Sequence, residues 1–99
     1  MQTYSVARLA ESDLKSILRY TLRTWGVEQA RRYSLGLREC FQLLADNPSL
    51  GRKCGSVRSG LRRFEHGKHV VFYVSTPEGV LIARVLHQQM IPVRYRFEL

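Results

Sequence analysis

The sequence predicts an α+β domain of order β-α-α-β-β-β: an N-terminal strand, an antiparallel helix hairpin, then a three-stranded antiparallel sheet. Three observations predict it. Apolar residues recur at helical spacing between Leu14 and Leu44. Two apolar runs, 69–75 (HVVFYVS) and 80–86 (VLIARVL), flank the turn signal Thr76-Pro77-Glu78-Gly79. The length, 99 residues, allows a single domain over 1–99 with one core.

Each element has its own signal. Residues 3–8 alternate Tyr4 and Val6 against Thr3, Ser5 and Ala7, as a first strand does. Ser12 and Asp13 supply a helix start. Leu14, Ile17, Leu18, Thr21, Leu22 and Trp25 then form one apolar stripe. Gly26 stops this helix, and a second begins at once along Val27, Ala30, Tyr33, Leu37, Cys40, Phe41 and Leu44. Gly36, in its middle, is expected to permit close helix contact. Asn47-Pro48 ends the helix, because the residue before proline avoids the helical region. Residues 49–60, SLGRKCGSVRSG, read as a basic connector. Residues 61–66 are the second strand, and the apolar runs are the third and fourth. The tail, 91–99, alternates Val93, Tyr95 and Phe97 with Arg94 and Arg96. Pro92 keeps it out of a central position, so it reads as an edge strand or a docked arm.

Strands three and four are apolar on both faces. Val70, Phe72 and Val74 oppose Val71 and Tyr73; Leu81, Ala83 and Val85 oppose Ile82 and Leu86. Such strands are covered on both sides. One helix hairpin covers one face, so the other is expected to offer an apolar patch to a partner. The alternative is that the tail folds back over it.

Charge is the strongest bulk signal. Sixteen Lys and Arg stand against eight Asp and Glu, a net +8. Thirteen of the sixteen are arginine, which favours carboxylate or phosphate partners bound through its planar fork. No apolar run approaches the roughly 20 residues that cross a bilayer, so no membrane role is expected. The first twelve residues lack the basic start and apolar block of a signal peptide, and a cytoplasmic location is expected. Cys40 and Cys54 are too few for a disulfide scaffold; Cys40 reads as a buried thiol and Cys54 as exposed. With no CxxC and three histidines, neither a metal nor a cofactor is expected. The 51–60 loop lacks P-loop spacing. No helix-turn-helix, zinc finger or RNP-like strand marks a dedicated nucleic-acid module.

An ordered set of pieces resembles the ParE branch of the RelE/ParE toxins of bacterial type II toxin–antitoxin modules. The pieces are Asp13-Leu14 with Ile17 and Tyr20; Trp25-Gly26 with Gln29-Ala30 and Tyr33; Asn47-Pro48 with Gly51-Arg52; Leu61-Arg62-Arg63-Phe64; His69-Val70-Val71-Phe72-Tyr73; and Ile82-Ala83-Arg84-Val85-Leu86-His87 with Met90. No single piece is specific, but their order is, from Tyr4 to Met90. The resemblance implies an adjacent-encoded antitoxin whose acidic C-terminal segment wraps the toxin in a hetero-oligomer. For ParE-like members it implies poisoning of DNA gyrase; for RelE-like members it implies mRNA cleavage on the ribosome.

The residues discriminate between these two activities. Cleavage through the 2′-hydroxyl needs a base, an acid and cations on the phosphate. Arg62, Arg63, Arg84 and His87 are the candidates. RelE-like nucleases place basic residues after the fourth strand, where this chain has Gln88, Gln89 and Met90. Glutamine neither donates a proton at pH 7 nor neutralises phosphate, so no catalytic set is assigned. A gyrase poison needs only a binding surface, with candidates Arg84, His87, Gln88, Gln89, Arg94 and Arg96. For Arg84, in an apolar strand, a structural ion pair is the competing reading. For the antitoxin, the expected contacts are helix arginines Arg19, Arg23, Arg31, Arg32 and Arg38, with Val71, Tyr73 and Ile82 on the sheet. An acidic, disordered segment needs apolar anchors and charge pairs to offset its ordering.

Overall fold

Gly26 sits at φ 94°, ψ 176°, a conformation that glycine adopts readily and other residues do not. There the chain reverses between α1 (Arg8–Trp25) and α2 (Val27–Asp46). The Gly26 N–H donates to the Leu22 carbonyl, and the Gly26 carbonyl accepts from the Ala30 N–H. One residue thus ends one helix and begins the next. At the far end of α2, the Asn47 N–H and side-chain amide donate to carbonyls of the last turn, where Pro48 stops the helix.

The computed structural model describes residues 2–90 and 92–99. Met1, Ile91 and the Val93 side chain lie outside the described residues, and so does their share of the expected tail alternation. Around the helices lie β1 (Thr3–Val6), β2 (Arg52–Lys53), β3 (Arg62–His66), β4 (His69–Thr76) and β5 (Gly79–His87). The strand order is β1-β5-β4-β3-β2, with β1 parallel to β5 and the other pairs antiparallel. The α+β class and element order agree with the sequence reading, but the sheet is mixed and has five strands. A parallel pair needs a long connection, and residues 7–78 supply it. The fifth strand, β2, is a two-residue pairing inside the expected connector.

Helix α1 starts at Arg8, ahead of Ser12 and Asp13. Ala7 accepts the Glu11 N–H, and Ala10 is fully buried, so packing of the first turn fixes the start without a side-chain cap. Strand β1 is accordingly shorter than 3–8. Gly36 admits His66, whose Nε2 would lie 3.3 Å from an added Cβ; the close approach is to a strand end rather than a helix.

The sheet separates two cores. On the helix side, Leu37, Cys40, Phe41 and Leu44 pack on Val71, Tyr73, Ile82 and Val85. Burial pushes the Cys40 thiol up to about 11, as a sealed cysteine requires. On the opposite side, Leu61, Val70, Phe72, Ala83 and Leu86 are closed by Phe97 of the tail, with Cys54, Val57 and Tyr95 packed around them. This corrects the expectation of an open apolar face: the tail docks as an arm, after a short 3₁₀ turn (Pro92–Arg94), and covers it. Cys54 is half-buried here rather than exposed. A β-bulge corrects the expected faces of β5. Register jumps from Phe72↔Arg84 to Tyr73↔Ile82, leaving Ala83 unpaired, so Ala83 and Val85 fall on opposite sides.

Candidate functional site

The helix hairpin reaches past its packed base. Near the base, Leu14, Ile17, Leu37 and Phe41 face the sheet core. Towards the tip, Leu18, Leu22, Trp25 and Val27 of the expected stripes are exposed, and Tyr20 beside them is 62% exposed. Thr21 is buried, its hydroxyl donating to the Ile17 carbonyl at 2.7 Å. A groove follows the seam between α1 and α2, floored by Ile17, Thr21, Ala30, Leu37 and Phe41, with Lys15 and Arg38 on its rim. It shares Leu14, Lys15, Arg38 and Phe41 with a second concavity reaching Tyr4 and Val6 on edge strand β1. The Tyr4 ring stands edge-on to Phe41 at 5.4 Å. Arg19, Arg23, Arg31, Arg32 and Arg38 on the same two helices are exposed, and Arg38 lines the groove. Only Arg31 among the five holds a described ion pair, 3.4 Å to Glu28.

Val71, Tyr73 and Ile82, expected to touch a partner, are fully buried under the helices. Tyr73 is instead an anchor. Its hydroxyl donates to the Pro48 carbonyl and accepts from the Gly51 N–H, both at 2.8 Å. Gly51 is required there, since an added Cβ would lie 2.6 Å from that hydroxyl.

Arg84 is likewise committed. Its Nε and Nη2 each donate to a different oxygen of Asp13 at 2.8 Å, and its Nη1 donates to the Arg96 carbonyl at 2.7 Å. Its guanidinium lies over the Tyr95 ring at 5.7 Å. Both partners of the ion pair are largely buried, and hydrogen bonding to Asp13 holds the Arg84 pKa above its ordinary value. Asp13 also accepts the Val85 N–H at 3.0 Å, on the stretch of β5 beyond the end of its pairing with β1 at Val6↔Ile82. In the sequence Asp13 reads as a helix start, and this link is not visible there. The signal was Arg84 itself, since a cation inside an apolar strand requires a carboxylate.

The other nuclease candidates are dispersed. Arg62 donates to the carbonyls of Ser49 and Gly51. Arg63 bonds Glu65 and lies over Phe72. His87 is half-buried, and its Nδ1 accepts the Gln89 N–H at 3.2 Å. Its ring meets His69 edge-on at 5.6 Å. His69 Nδ1 lies 2.6 Å from the Tyr33 hydroxyl, and burial, reinforced by His87 and His66, lowers the His69 pKa to about 4. Gln88, Gln89, Arg94 and Arg96 are exposed.

A helix hairpin with a groove, laid on a mixed sheet closed by a C-terminal arm, defines a small α+β domain. Residues 4–92 match the family described as ParE toxin of type II toxin-antitoxin system, parDE, and the chain belongs to that family. It is 41% identical over 90 residues to Toxin ParE1 of Caulobacter vibrioides, covering 91% of this chain and 93% of that one. It is 39% identical over 88 residues to Toxin ParE1 of Mycobacterium tuberculosis H37Rv, covering 88% and 90%. The fold also resembles a chain of the chromosomal ParDE toxin–antitoxin system from P. aeruginosa, with a TM-score of 0.72 at 20% identity over 88% of this chain and 96% of that one.

Proposed function

We propose that this toxin poisons DNA gyrase in the cytoplasm by trapping its cleaved-DNA complex. We further propose that a ParD-like antitoxin neutralises it by seating an acidic segment in the α1–α2 groove. The observation that carries the antitoxin reading is the groove itself. It joins the exposed Leu18 to the cations Lys15 and Arg38 and runs on to an edge strand, the combination that an ordering acidic segment needs. The carboxylates of such a segment would pair with Arg19, Arg23 and Arg38.

The gyrase reading is supported by family membership and by the state of the nuclease candidates. Arg62, Arg63 and Arg84 are spent on carbonyls, glutamate and aspartate. His87 and Arg62 lie on β5 and β3 with β4 between them. The residues left to face gyrase are His87, Gln88, Gln89, Arg94 and Arg96; Arg84 leaves that set because it is buried in its ion pair.

Purified toxin is added to a gyrase supercoiling reaction and, separately, to translating ribosomes. Linear cleaved DNA is the expected product. Codon-positioned mRNA cuts with gyrase unaffected would reverse the reading. For the antitoxin, Leu18→Asp with Arg38→Glu, both lining the groove, is expected to abolish complex formation on size exclusion. Affinity should also weaken as salt rises; affinity indifferent to salt would remove the charge part of the account.

A further inference from the structure

The tail side of the sheet carries a cluster of arginines. On the tail side a continuous set of contacts links the arginines. Arg52 is the register partner of Arg63, and Arg63 lies over Phe72, whose ring stands against Phe97 at 5.5 Å. Arg58 donates to the Phe97 carbonyl. Arg8 and Arg96 flank Glu98, and Arg94 is exposed in the turn that starts the arm. Among the described residues, only Glu65 and Glu98 join these six arginines in ion pairs. Six cations against two carboxylates leave an excess of four on this face, half of the chain's net +8.

We propose that the tail face binds the phosphate backbone of duplex DNA, without reading sequence. The function rests on the gyrase reading, since the toxin would then grip the DNA held by the enzyme it traps; the binding itself does not require gyrase.

Three features favour a duplex over other polyanions. First, Leu61, Phe72 and Leu86 of this face are buried beneath the arm, together with the arm's own Phe97. Leu99 of the arm is exposed, but one such anchor does little to offset the ordering of an acidic peptide, whereas a duplex is already ordered. Second, the Tyr95 ring is half-buried with Arg84 over it. That aromatic is committed, which disfavours single strands that bind by base stacking. Third, the molecule is a slab of 37 × 34 × 21 Å. Its broad dimensions match about one turn of B-form DNA, roughly 34–36 Å. Among the described residues no long helix lies on this face to enter a groove, so contacts stay on phosphates and specificity is low.

The test is fluorescence anisotropy of a short labelled duplex of mixed sequence, titrated with toxin alone at several salt concentrations. Four uncompensated arginines predict a log affinity against log salt slope of about −3 to −4. Arg94→Gln with Arg96→Gln is expected to flatten the slope by about 2 and weaken binding roughly tenfold or more at low salt. Glu65→Gln with Glu98→Gln is expected to tighten binding, a gain that misfolding does not produce. Arg19→Gln with Arg31→Gln, on the helix face, is expected to change little. The proposal is overturned by equal losses from the two arginine pairs, or by no gain from the glutamate pair. Tighter binding of single-stranded RNA, or equal displacement by polyglutamate of matched charge, would overturn it too. Duplex binding here with no trapping in the supercoiling reaction would refute the gyrase reading and leave this one standing.

Discussion

The two faces of the sheet are closed in different ways. On the helix side, α1 and α2 bring regular stripes of side chains onto Val71, Tyr73 and Ile82, and the surplus stripe runs on past the sheet as exposed apolar surface. On the tail side an irregular arm and a connector loop cover a smaller core, pinned by Phe97 and by the Arg58 bond to its carbonyl. The helix face therefore keeps apolar anchors available to a partner. The tail face buries its own and presents arginine. One fold thus offers two chemically distinct surfaces, joined at the Asp13–Arg84 pair, where α1, the β5 bulge and the arm meet.

The sharpest way to break this comparison is to cut one anchor from each face. Phe41→Ala removes a fully buried ring from the larger core and is expected to cost about 4 kcal/mol. Phe97→Ala removes a ring held by an arm that can settle into the gap, and about 2–3 kcal/mol is expected. Urea denaturation of both variants gives the two costs. Equal losses, or a larger one at Phe97, would mean that the arm is as integral to the fold as the helices.

Asp13→Ala probes the junction. It leaves a largely buried guanidinium without its carboxylate and the Val85 N–H without an acceptor, so about 3 kcal/mol is expected. The loss should also free the arm, because the same guanidinium holds the Arg96 carbonyl. Amide exchange that quickens only in α1, with the arm unchanged, would contradict the idea that Arg84 couples the faces.

These elements also show what was legible in the sequence. The helices, their break at Gly26 and strands β3 to β5 were, because period and turn chemistry are local signals. The cover over the second face was not. Phe97 docks on Phe72 at a sequence separation that no periodicity encodes, and Pro92 argued only against a central strand. The bulge at Ala83 was equally invisible, yet it decides which β5 residues are core. Val71, Tyr73 and Ile82 read from sequence as contact residues, because an apolar strand looks the same whether helices or a partner cover it. Arg84 was read both ways, and only the position of Asp13 on α1 decides between them.

Acid offers the smallest and most selective perturbation of the comparison. His69 belongs to the helix-side edge of the sheet. Tyr33 from α2, His66 from β3 and His87 from β5 face it, and Lys68 precedes it in the hairpin. Burial, then His87 and His66, lower its pKa from 6.5 to about 4 in the folded chain. Above pH 6.5 the ring is neutral whether the chain is folded or not, and its contribution is intact. As pH falls from 6.5 towards 4, the unfolded chain takes up a proton that the folded chain refuses, and stability is lost. Discounted for solvent screening, the loss amounts to about 1–2 kcal/mol. His69→Gln removes it, so the difference in unfolding free energy between parent and variant should shrink from neutral pH to the lower end of that window. Carboxylates titrate equally in both proteins and cancel in the difference. A difference independent of pH would mean that the cluster around Tyr33 is open enough to charge freely, and that the helix side of the sheet is looser at this end than its packing indicates.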